Sequence, residues 1–106
     1  MIDPTRLLFI EPFDRSPEPI IDSLTRKITA SLKKAKRGDC WMGSHMDVCG
    51  CRSSSCDQIL PNGEITNSLA IHYVAFHRSS IPQEQLDKIE ALSDGELEPT
   101  VKELWP

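Results

Sequence analysis

Three cysteines and three histidines fall within 33 residues of this chain (His45, Cys49, Cys51, Cys56, His72 and His77), and Cys40 stands just ahead of them. Around the cysteines, residues 38–57 show no usable hydrophobic period. They contain Gly38, Gly43, Gly50 and the run Ser53–Ser55. A structureless stretch of that length is uncommon inside a compact domain unless something pins it. The chain has 106 residues, of which 39% are hydrophobic and only 6% aromatic. That suffices for one domain with a modest, mainly aliphatic core, the kind that a bound metal helps to hold. The expectation is therefore a single domain over residues 1–106 with a zinc-binding module at 40–78.

Compartment decides how the cysteines are read. The N-terminus carries Asp3 and Pro4 and has no basic segment followed by a long apolar run, and no stretch of 18 apolar residues occurs. The expectation is a cytoplasmic protein with no membrane span. There, clustered cysteines are more often metal ligands or redox groups than disulfides.

Zinc takes four tetrahedral nitrogen or sulfur ligands, usually as two close pairs from different elements. His72 and His77 form one pair. Five positions apart on an ideal helix they diverge by roughly 140°, so both reach one ion only if the helix end tightens or unwinds. Cys49 and Cys51 are the preferred second pair, because the Gly50 between them lets two thiolates turn together. Cys51 with Cys56 is the alternative, and His45 is a fifth candidate. Cys40, beside Trp41, reads as a packed thiol. The expected set is thus Cys49, Cys51, His72 and His77 around Zn2+, a closed and structural centre in a protein-interaction or regulatory module.

Enzyme readings are tested on the same residues. His72 is followed by Tyr-Val-Ala-Phe, so there is no His-Glu-x-x-His. The zinc-deaminase pattern, a Cys-x-x-Cys pair and a phosphate-binding glycine loop are absent too. One catalytic alternative remains: an open site of His45, Cys51 and His72 plus water, with Asp47 or Asp57 beside the metal. A nucleophilic cysteine served by His45 or His72 is a further variant.

A net charge of −4 disfavours bulk affinity for nucleic acid. The charge is unevenly spread. Residues 26–37 hold six basic side chains and no acid, while residues 84–103 hold seven acids against Lys88 and Lys102. Two helix faces of opposite sign that face each other account for this. A nucleic-acid stripe on the basic helix 26–37 is the alternative, and another protein is the preferred partner.

The remaining sequence predicts an α+β fold. The run Arg6–Ile10 reads as a buried strand stopped by Glu11-Pro12. Ser16 caps a helix whose Ile20, Leu24, Ile28 and Leu32 recur every four residues and which runs to about Arg37 before Gly38. Pro61-Asn62-Gly63 between Gln58–Leu60 and Glu64–Thr66 signals a short hairpin. Thr66 or Asn67 then caps an apolar central helix over residues 69–77. A helix from about Ser80 to Asp94-Gly95 and a short one carrying Val101, Leu104 and Trp105 complete the chain.

Overall fold

Seven consecutive residues without a formal charge, Ala70–Phe76, form a helix that is buried at every position. In the computed structural model, which describes residues 7–8, 15–40 and 56–105 (backbone alone at 39 and 40), the order is α1 (Ser23–Lys33), β1 (Lys36–Cys40), β2 (Cys56–Ile59), β3 (Ile65–Thr66), α2 (Ala70–Phe76), a 3-10 turn (Arg78–Ser80), α3 (Gln83–Glu90) and α4 (Val101–Leu104). The fold is α+β, as expected. A helix apolar on all sides has no face to offer water and must be surrounded. Here α1 and α4 pack against α2, α3 packs against α1, and Leu7, Leu8, Leu60 and Leu69 join the same core.

The sheet is antiparallel in the order β1-β2-β3. Gln58 pairs with Thr66 and Ile59 with Ile65, which is the expected hairpin, and Gly63 takes φ +92 in its turn, a conformation that suits glycine. Strand β1 was not expected. The basic helix ends at Lys33 rather than near Arg37, and Lys36 and Arg37 instead pair with Ile59 and Gln58. The register then shifts before Cys40 meets Cys56. Nothing in the local sequence marks Lys36–Cys40 as a strand. Its partner β2, twenty residues on, supplies the ladder that makes it one.

Three other boundaries differ from expectation. Ser16 does not cap α1: its hydroxyl bonds the carbonyls of Glu18, Ala75 and Phe76, so it ties the entry segment to α2. The cap is Asp22, whose Oδ1 accepts the Thr25 N–H at 3.2 Å. At the head of α2 the capping residue is Leu69, with no side-chain cap, while Asn67 Oδ1 accepts the Leu69 N–H at 2.8 Å. Of the strand expected over residues 6–10, only Leu7 and Leu8 are described. The Leu7 N–H donates to the Ile65 carbonyl at 2.7 Å, and Leu8 takes φ 61, outside the strand region. That costly conformation is held from two sides, by Gln85 Oε1 on the Leu8 N–H (2.9 Å) and Asn67 Nδ2 on its carbonyl (3.0 Å).

The opposite charges of the two segments do face each other. Arg26 lies 3.8 Å from Glu96 and 3.4 Å from Glu98, Lys27 is 3.7 Å from Glu90, and Lys33 is 3.4 Å from Glu103. Such exposed pairs contribute little individually. The better-built pair is Arg78 with Asp22. The guanidinium grips both carboxylate oxygens at 2.9 and 2.8 Å, and it also bonds the Val74 carbonyl and the Thr25 hydroxyl. One carboxylate thus caps α1 and fastens it to the end of α2.

Arg78, helped by the Thr25 amide and working against partial burial, lowers the Asp22 carboxyl from 3.8 to about 2. A carboxyl whose folded-state pKa is depressed adds stability at pH values above its unfolded pKa, and that stability is lost as pH falls through the folded one. Asp22→Ala should cost about 1–3 kcal/mol near neutral pH, from a lost cap and a half-buried guanidinium left without its partner. In urea titrations the difference between wild type and variant should shrink as pH falls from about 4 towards 2. A difference independent of pH in that window would show that the ion pair contributes nothing.

Candidate functional site

The two histidines predicted as ligands are brought together. Both are fully buried, and their Nε2 atoms lie 3.2 Å apart. The helix does what the five-residue spacing requires. His77 is the C-cap of α2 with φ −120 and ψ 33, so the chain unwinds there and its ring swings back over His72, while the His77 N–H still donates to the Tyr73 carbonyl. The other ring nitrogen, His72 Nδ1, lies 2.7 Å from the backbone carbonyl of Leu104 in α4. A carbonyl can only accept, so Nδ1 carries the proton. The contact between the two Nε2 atoms engages the other nitrogen, so both nitrogens of His72 have a partner.

This corrects the zinc reading. Among the described residues, no group of three or more His, Cys, Asp and Glu side chains is placed to hold a metal ion. The structural zinc module, the open catalytic site and a function built on either lose their basis there. Cys49, Cys51, His45 and Asp47 lie outside the described residues. Cys56 begins β2 and is disulfide-bonded, so it offers no thiolate. Asp57 is buried in the same strand. The basic segment 26–37 is divided between helix and strand, with Arg26, Lys27 and Lys33 in ion pairs, so it presents no continuous basic helix.

What the pair builds instead is an aromatic stack that leads outwards. The His72 ring lies 5.1 Å from Phe76 and 5.3 Å from Trp105, and the Phe76 and Trp105 rings are 4.5 Å apart. The Arg15 guanidinium sits 5.3 Å from the Trp105 ring and 5.9 Å from that of Phe76, within cation–π range. Burial falls sharply along this line. The histidines are sealed, whereas Trp105 is 41% exposed. Only the tryptophan end of the stack meets solvent.

Trp105 is held by α4, a single turn made stable by a capping box. The Thr100 hydroxyl accepts the Glu103 N–H, and the Glu103 carboxylate accepts the Thr100 N–H. Leu104 points into the core, while Val101, one turn before Trp105, is 76% exposed. Phe76 also lines a cleft of about 280 Å3, together with Ser16, Ile20, Arg78 and Ser79. Ile20 at its rim is 36% exposed. Sequence reasoning assigned Val101 and Trp105 to a short helix and missed them as a surface. Their i, i+4 spacing, with Leu104 on another side, was the available signal.

No family model, curated protein or solved structure matches this chain.

Replacing His77 by Ala should destabilise the protein by about 2–4 kcal/mol, because it opens a cavity and leaves His72 Nε2 without its partner. Trp105 fluorescence should change in the folded variant, since His72 stacks against it. Denaturant melts followed by fluorescence and by circular dichroism test both points. A loss under about 1 kcal/mol would show that the pair is dispensable.

Proposed function

We propose that the protein is a non-catalytic binding module for another protein, and that it docks through the ledge formed by Trp105, Val101 and the Ile20 cleft. One observation supports this reading above the rest: a half-exposed tryptophan and a nearly bare valine stand one turn apart at α4, and Phe76, against which the indole packs, also lines a cleft with Ile20. Isolated apolar side chains on a surface are ordinary. A fixed tryptophan flanked by an arginine and a shallow cleft is the composition that interface hot spots favour. The stack beneath adds preorganisation. Phe76 and His72 brace the indole from behind, so little side-chain freedom is lost when a partner covers it.

The arrangement gives the buried histidines a mechanical role. The Leu104 carbonyl on His72 fixes α4 against α2, and α4 in turn sets the angle at which Val101 and Trp105 meet a partner.

The test is site-directed photocrosslinking in cells. A photoreactive residue at Val101 should trap a protein that the same residue at Glu84, on exposed α3, does not. With that protein purified, Val101→Asp should weaken binding by about tenfold or more without lowering thermal stability, and Trp105→Ala should weaken it further. Equal crosslinking at the two positions, or a Val101→Asp variant that binds as wild type does, would sink the reading.

A further inference from the structure

A second concave site lies at the C-terminal end of α1. The helix stops at Lys33, Lys34 is its C-cap, and the chain turns through Ala35 into β1. Ala35 packs against the core, so the lysines on either side of it project outwards, and both are exposed. They rim a groove of about 400 Å3 whose remaining lining is Ile59, Leu60, Pro61 and Gly63. Small-molecule sites commonly have volumes of roughly 300–1,000 Å3.

The floor of this groove is built by the sheet. Ile59 pairs with Lys36 across β1 and β2, which puts their side chains on the same face. Two residues along β1 on that face is Gly38, where an added Cβ would come within 3.1 and 3.2 Å of the Ile59 side chain. Glycine there lets Ile59 lie flat against the strand as an apolar surface. At the hairpin end, a Cβ added to Gly63 would meet nothing within 4 Å, so that wall stays open.

The charge in the groove is uncommitted. Among the described residues the Lys36 ammonium forms no hydrogen bond or ion pair, and the Lys34 ammonium reaches only the backbone carbonyl of Asp94, at 3.3 Å. Asp94 accepts the Ser31 hydroxyl, and Glu64 is bonded by the Asn62 side-chain amide. Two ammonium groups above an aliphatic floor match a ligand with an acidic head and a short apolar body. We propose that this groove is a binding site for a small amphiphilic anion. Lys36 and Lys34 would hold its carboxylate or phosphate, and Ile59, Leu60 and Pro61 would cover its hydrocarbon part.

The experiment titrates the full chain, by amide NMR, with octanoate, octyl phosphate and the uncharged 1-octanol. Both anions should shift the amides of Leu60, Gly63 and Lys36 saturably, and 1-octanol should bind at least about tenfold more weakly. The tighter of the two anions assigns the head group. Lys36→Glu should weaken anion binding by about tenfold, Lys34→Glu with it should abolish binding, and Lys102→Glu on α4 should leave it unchanged. Gly38→Val, which displaces Ile59, should weaken all three probes together. Well-dispersed spectra of each variant confirm that it is folded. Octanol binding as tightly as octanoate, indifference to the Lys36 charge reversal, or no saturable shift would each overturn the proposal.

Discussion

The burial of α2 is the constraint around which the described structure is arranged. Tyr73, Val74, Phe76, Ile71 and both histidines are covered almost completely, and a helix with apolar residues on every side is stable only if other elements enclose it. Helix α1 supplies Ile28 and Ala30 on one side, and Leu104 closes another from α4. The entry segment crosses the end of the helix, with the Ser16 and Ile20 amides donating to the carbonyls of Phe76 and Ala75. Burying a helix C-terminus leaves carbonyls that need partners. That requirement explains why the segment before α1 runs where it does.

Placing polar groups in such a helix sets a second condition. A buried imidazole must find partners for its nitrogens or lose several kcal/mol (about 1–3 for each unsatisfied group). His72 and His77 meet the condition for each other and recruit the Leu104 carbonyl. The same bonds that satisfy them fix α4, and α4 carries Val101 and Trp105 to the surface. Arg78 acts similarly one residue further on, joining α2 to the cap of α1 through Asp22. The polar groups at the end of α2 therefore specify which elements meet, whereas the apolar ones supply most of the driving force.

Much of the architecture was legible because it follows from local rules. The four-residue apolar spacing from Leu24 to Leu32 marks α1, Pro61-Asn62-Gly63 marks the hairpin, and the unbroken apolar run marks the buried helix. The charge asymmetry between residues 26–37 and 84–103 foretold that these segments lie together. The site was harder to read. Histidine spacing alone suits a metal pair and a hydrogen-bonded pair equally, and the partner that His72 Nδ1 meets, the Leu104 carbonyl, comes from 32 residues away. Spacing along a chain carries no information about that carbonyl.

The sequence by itself determined where chain segments become helix or turn, because periodicity, capping residues and proline act within a few positions of themselves. It also determined that His72 and His77 come together if the helix end unwinds between them. Only the tertiary structure decided that Lys36–Cys40 is a strand, that Asp22 rather than Ser16 caps α1, and that the histidines bond each other and a backbone carbonyl. Each of these depends on a partner far along the chain: Ile59 for the strand, Arg78 for the cap, Leu104 for the imidazole. A hydrogen bond is decided by which groups the completed fold brings within about 3 Å, and that is fixed by packing around α2.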